Sequence, residues 1–154
     1  MSDTDYINMA IDLSIENTSS GKGKPFGAIV VKNGQIIGKG VNDTVSSMDP
    51  TAHSEILAIR VACKHEQSMD LTGCVIYCSS EPCPMCTAAI HLVRIARVVY
   101  SVPSEIVGDY GLSDKSISEQ LSLAKKDRVI KMEQIFIPLS IEPFKEWNKK
   151  NSQP

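Results

Sequence analysis

The sequence predicts an α/β protein whose sheet carries helices on both faces. Three observations predict it. A short apolar run, Phe26 to Val31, is followed by Asn33-Gly34, a dipeptide suited to a two-residue hairpin turn, and Gln35 to Val41 then returns. Beyond this hairpin, β-prone and helical stretches alternate, an order that calls for crossover connections. The 154 residues contain no internal repeat and no linker, so they read as a single domain, 1–154, long enough to bury a core.

The elements follow in chain order. Thr4 to Asn17 reads as an amphipathic helix, because Tyr6, Met9, Ala10 and Leu13 recur at helical spacing. A polar, glycine-bearing loop, Thr18 to Pro25, leads into the hairpin. Asp49-Pro50-Thr51 then breaks the chain before a helix from about Ala52 to His65. Cys74 to Cys78 is β-prone. Pro82 and Pro84 punctuate the entry to a helix over Cys83 to Val93, with Met85, Ala88, Ala89 and Leu92 expected to share its buried face. Arg97 to Tyr100 reads as a strand. The signals weaken beyond it: a helix over Ser113 to Lys126, a strand over Val129 to Ile137 and a short helix over Pro143 to Lys150 complete the prediction.

Charge and composition exclude several classes. The net charge is −2 and the pI about 5.9, so the chain lacks the basic field that phosphate contacts require of most nucleic-acid binders. Nucleic acid is therefore an unfavoured partner. No apolar run reaches membrane-spanning length. The opening Met1-Ser2-Asp3-Thr4-Asp5 lacks the basic and apolar parts of a secretion signal, which points to the cytoplasm. There the five cysteines stay reduced, and metal or chemistry becomes the expectation ahead of disulfides.

Two segments carry chemistry. Thr51-Ala52-His53-Ser54-Glu55 supplies H-x-E, and Glu81-Pro82-Cys83-Pro84-Met85-Cys86 supplies P-C-x-x-C thirty residues later. Zinc favours tetrahedral nitrogen and sulfur ligation, and a catalytic site leaves one of the four positions to water. His53, Cys83 and Cys86 provide three donors. Cys83 and Cys86 fall in a predicted first helical turn, where their sulfurs converge and the positive helix end favours thiolates. The second helix start brings His53 to the same point. Glu55 is then the proton shuttle and not a ligand, since a carboxylate on the metal would fill the open position. A structural zinc site is the bland alternative, and it needs a fourth protein ligand. Cys74 and Cys78 lie roughly 13 Å apart along a strand, so they cannot both serve; with Cys63 they read as small core residues. His65 suits a helix C-terminus, and His91 a surface.

H-x-E followed by P-C-x-x-C is the pattern of zinc nucleobase deaminases. Together with Pro25-Phe26-Gly27-Ala28, Gly40-Val41-Asn42 and Asp49-Pro50, it resembles the cytidine-deaminase-like superfamily over nearly the whole chain. Gly111-Leu112-Ser113-Asp114, Pro143-Phe144 and Trp147 make it most similar to the guanine deaminase branch. The resemblance implies a three-layer α/β/α sandwich around a five-stranded mixed sheet, one Zn²⁺ per chain and a homodimer. It also implies a C-terminal segment, about 127–154, exchanged between subunits. Carried over by position, Phe26 would stack on the base, Asn42 would hydrogen-bond it, Ala52 would line its site and Asp114 would read the purine edge. Each has a structural alternative: core packing for Phe26, a turn for Asn42 and a helix N-cap for Asp114.

The implied reaction is hydrolytic deamination of a purine base, with guanine, giving xanthine and ammonia, the foremost substrate. The sequence departs from the branch at Leu92-Val93, where an aromatic residue is expected. It departs again at Leu139-Ser140-Ile141, where an acid is expected, and in a terminus without an aromatic residue. Ile90 to Tyr100 also looks like tRNA adenosine deaminases. That keeps an adenosine-to-inosine enzyme as an alternative, beside a deaminase of another small base or nucleoside such as cytosine. A non-catalytic zinc-stabilised binding module is the third class.

Overall fold

The computed structural model describes residues 1–113 and 115–151. It divides into two units, Met1–Ser118 and Glu119–Pro154. In the first, α1 (Asp3–Ser19) precedes the hairpin β1 (Gly27–Lys32) and β2 (Gln35–Val41). The chain continues through α2 (Ser54–Glu66), β3 (Val75–Ser80), α3 (Pro84–Leu92), β4 (Arg97–Val102) and α4 (Ser104–Asp109). Helix α5 (Lys115–Ser122) follows. The second unit holds two short 3-10 turns and α6 (Glu142–Asn151).

The strand order is β2-β1-β3-β4. β1 runs antiparallel to both of its neighbours, and β3 pairs parallel with β4. Three strands therefore point one way and β1 alone points the other. The hairpin turns where the dipeptide predicts: Asn33 and Gly34 both adopt positive φ, at 50° and 79°, as a type I′ turn requires.

Period-two alternation sorts the side chains of β1 and β3 onto two faces. Ala28, Val30, Ile76 and Cys78 join Ala58, Ile59 and Ala62 of α2 and Ile90 of α3 in one core cluster. Ile29, Val31 and Tyr77 meet Tyr6 of α1 on the other face. Helices thus cover both faces, as expected, and Cys74 and Cys78 are core residues. The buried face of α3 is set by Cys86 and Ile90, whereas Ala88 and Leu92, expected to be buried, are exposed. Each fully buried aliphatic chain here, such as Ile29 or Ile76, contributes about 1.5–3 kcal/mol relative to exposure.

Two glycines set how closely α2 lies on β2. A Cβ on Gly40 would stand 2.1 Å from the Ser54 carbonyl oxygen, and one on Gly38 would stand 2.3 Å from that of Ala58. No side chain fits there. The start of α2, with His53 and Glu55, is seated directly on the last residues of β2.

The C-terminal third differs from expectation. The helix predicted over Ser113 to Lys126 is shorter, with α5 ending at Ser122 and a 3-10 turn at Lys125–Asp127. The strand predicted over Val129 to Ile137 does not form among the described residues, and the described sheet has four strands where five were expected. A strand exists only through its pairing, and residues 129–137 find no ladder among the described residues. Their apolar side chains stay exposed: Ile130, Ile135 and Phe136 retain 80%, 85% and 60% of their surface. No described helix is long and apolar enough to cross a membrane.

Candidate active site

The site lies where β2 and β3 end. Ligands of open α/β sheets gather at the carboxyl ends of strands, where loops are free to present side chains. After β2 the chain passes through Asn42 and a loop to His53. Residue 53 has the extended backbone of an N-cap for α2, and its side chain caps nothing. After β3, Cys83 takes the same place for α3, with Pro84 in the first turn. Proline suits that position because its missing N–H would have no helical partner. Cys86 follows within the same turn. Two helix starts therefore meet, as the spacing predicts.

Their donors converge. Cys83 Sγ is 3.6 Å from His53 Nδ1, Cys86 Sγ is 3.6 Å from the same nitrogen, and the two sulfurs are 3.6 Å apart. Zinc bonds of about 2.0–2.3 Å in a tetrahedron place neighbouring donors about 3.5–3.8 Å apart. The three residues fit a zinc ion. Among the described residues they form the one group of His, Cys, Asp or Glu whose ligand atoms all lie within 4.8 Å of one another. Glu55 is not a member and supplies no fourth donor. The arrangement is that of an open site.

The electrostatics agree with metal-ligand chemistry. Hydrogen bonding from Cys86 and then from His53 lowers the pKa of Cys83 to about 4, against desolvation. The thiolate form is thus favoured at Cys83, while the contact with Cys83 and burial push the Cys86 thiol up. His53 is raised in turn, chiefly by its bond with Cys83. Glu55 is 6% exposed, and burial raises its pKa above the ordinary carboxylate value. The Ser54 hydroxyl donates to its Oε2 at 2.8 Å. A neutral carboxylic acid is thus more accessible at Glu55 than at a surface glutamate.

Phe26 is half-buried and belongs to neither core cluster. Asn42 is buried beside it, and its backbone N–H donates to the Phe26 carbonyl at 3.1 Å. Ala52 is buried, and its carbonyl accepts from the Asp43 N–H at 3.0 Å. Asp114 lies outside the described residues. Lys24, Thr44, Met48, Pro50 and His53 line an open cavity of about 360 Å³, within the usual size range of small-molecule sites.

Residues 1–102 match the family model of the cytidine and deoxycytidylate deaminase zinc-binding region. The chain belongs to this deaminase family. It is 37% identical to the guanine deaminase of Bacillus subtilis over 92% of its own length and 91% of that protein's. The crystal structure of guanine deaminase from that organism superposes with a TM-score of 0.94 at 35% identity, covering 100% of this chain and 98% of the other. A tRNA-specific adenosine deaminase of Aquifex aeolicus is 48% identical, over 50% of this chain and 51% of its own. The guanine deaminase structure from Nitrosomonas europaea matches with a TM-score of 0.67 at 28% identity, over 70% of this chain and 63% of that one. The protein is thus a zinc-dependent aminohydrolase, and its likeness to the guanine deaminase branch runs along the chain.

Three residues of the deaminase site escape sequence reading. Ser54 holds Glu55. Asn17, on α1, donates through Nδ2 to the backbone oxygens of both Lys24 and Asn42 at 2.9 Å, tying the loop before β1 to the end of β2. Thr44 contacts the Asn42 side chain. No motif marks any of them, because each acts through a hydrogen bond that exists only in the folded chain.

Proposed function

We propose that this deaminase hydrolyses the exocyclic amino group of a purine base, guanine foremost, releasing ammonia and leaving a ring carbonyl. The observation that carries the reading is the extent of the likeness to Bacillus subtilis guanine deaminase. It covers the whole chain, including the segment beyond residue 102 where the family model ends.

His53, Cys83 and Cys86 would hold the zinc. When bound, it supplies Lewis-acid activation of water near neutral pH. Glu55 accepts the proton that the attacking water gives up and delivers protons to the departing nitrogen. Burial serves this shuttle, because it raises the carboxyl pKa above its usual value and so makes the protonated form easier to reach. Ser54 and the start of α2 keep its carboxylate in one orientation. Phe26 offers a ring face to the base, Asn42 an amide and Ala52 a small wall, and Asp114 would read the far edge of the purine.

The test is ammonia release by zinc-loaded protein from guanine, adenine, cytosine, guanosine, cytidine and a tRNA anticodon stem-loop. Release from guanine alone is expected. The likeness of the central segment to tRNA-specific adenosine deaminases supports the second reading. Turnover confined to the stem-loop, with binding that weakens steeply as salt rises, would establish that reading instead.

We infer also that the C-terminal segment from about residue 127 exchanges between two copies in a cytoplasmic homodimer. Strand β4 has one unpaired edge and exposes Val98 and Tyr100. Residues 129–137 form no regular element and expose Ile130, Ile135 and Phe136, and none of the described residues of the second unit is buried. An exposed apolar surface of this kind marks an interaction site. Sedimentation equilibrium is expected to give about twice the chain mass of 16.8 kDa. Emission from Trp147, the sole tryptophan and 68% exposed in the single chain, should lie in the blue at micromolar concentration and move to the red on dilution. A monomer with red emission at every concentration would rule the exchange out.

A further inference from the structure

Asn42 is 2% exposed, and its amide is oriented by one neighbour. Its Oδ1 accepts from the Thr44 hydroxyl at 3.1 Å and from the Thr44 backbone N–H at 3.4 Å. A backbone N–H can only donate, so the amide oxygen, not the nitrogen, must face Thr44. Nδ2 has no protein partner among the described residues. No fully buried side-chain nitrogen or oxygen there lacks a partner, so Nδ2 reaches accessible space. The Asn42 backbone is fixed as well. Its N–H donates to Phe26, and its carbonyl accepts from Asn17, itself 5% exposed. Thr44, which locks the amide, also lines the cavity that His53 enters.

We propose that Thr44 is a positioning residue: it holds the Asn42 amide with its N–H donors toward the ligand, so the site selects a ring that presents a lone-pair acceptor at that point. A carbonyl oxygen or an unprotonated ring nitrogen satisfies it, and an amino group or ring N–H is rejected. Without the hydroxyl, only the long 3.4 Å contact from the Thr44 backbone N–H holds the amide, so its orientation loosens and selection at that edge weakens. The nature of the ligand rests on the reading of the cavity as a nucleobase site; the lock itself does not.

Thr44→Val keeps the side-chain shape and the backbone N–H but removes the hydroxyl donor. It is expected to raise KM roughly tenfold, the effect of losing one hydrogen bond of ordinary strength, while kcat stays within about twofold. Thr44→Ser should restore KM. Asn42→Asp, of equal size but without a donor, should raise KM further than Thr44→Val. An unchanged KM in Thr44→Val, no rescue by serine, or an Asn42→Asp variant that binds as well as the parent would each overturn the proposal. The lock is read separately by NMR of the ligand-free protein. The Asn42 Nδ2 group should give a rigid side-chain {¹H}–¹⁵N NOE in the parent and in Thr44→Ser and a clearly reduced one in Thr44→Val. An Asn42 amide equally ordered in all three overturns the lock. An ordered amide in a protein that binds no base keeps the lock and removes the nucleobase reading.

Discussion

Glu55→Gln is expected to retain one zinc per chain and to lose turnover by about 10²–10⁴-fold, the usual contribution of a positioned acid–base group. The substitution keeps the size of the side chain and an oxygen to accept from the Ser54 hydroxyl, now 2.8 Å from the carboxylate. It leaves His53, Cys83 and Cys86 intact, and Glu55 stands outside that donor group. Only the capacity to take and return a proton is removed. Burial makes the loss severe, because a residue 6% exposed has no bulk water beside it to act in its place. KM should change little, since Glu55 acts on the reacting atoms. Zinc content by atomic absorption and kcat on the same preparation decide the matter. A variant holding zinc and working within tenfold of the parent would end the assignment of Glu55 as proton shuttle.

Cys83→Ala is expected to lose the metal and, with it, all measurable turnover. Cys83 is one of three donors, and the other two lie 3.6 Å from its sulfur. It is also the thiol whose pKa falls to about 4 and around which Cys86 and His53 organise their hydrogen bonds. Two remaining donors cannot complete a tetrahedral zinc site. Some stability should go too, because bound metal stabilises the folded state by mass action. The residue packs in neither core cluster, so the variant should still fold. Metal analysis after gel filtration, beside a thermal melt with and without added zinc, separates the two effects. One zinc per chain in the variant would mean a different ligand set.

Legibility in the sequence followed how local each cause was. The hairpin was readable because Asn33-Gly34 demands positive φ within four residues, and β2 begins and ends where its pattern says, at Gln35 and Val41. The zinc donors were readable because two helix starts fix them, each marked by its own short motif. The helix expected over Ser113 to Lys126 was misjudged because that stretch has no buried residue to anchor a face, and its apolar residues Ile117, Leu121 and Leu123 stay exposed. The strand expected over Val129 to Ile137 has the right composition, but composition cannot supply the neighbour that makes a strand. Asn17 and Thr44 were unreadable for a related reason. The bond from Asn17 to Asn42 spans 25 residues, and an asparagine near a helix end looks the same whether it caps that helix or clamps a distant loop.

The division of the core into two clusters, one on each face of the sheet, has a consequence for descent. The loop from Asp43 to Thr51 lies wholly outside either cluster, so changes there cost the fold little. The atoms that activate water and carry protons sit on helix starts seated against glycine and held by proline, where few substitutions survive. A lineage built this way can reshape the cavity wall that Thr44, Met48 and Pro50 supply while the metal donors stay in place.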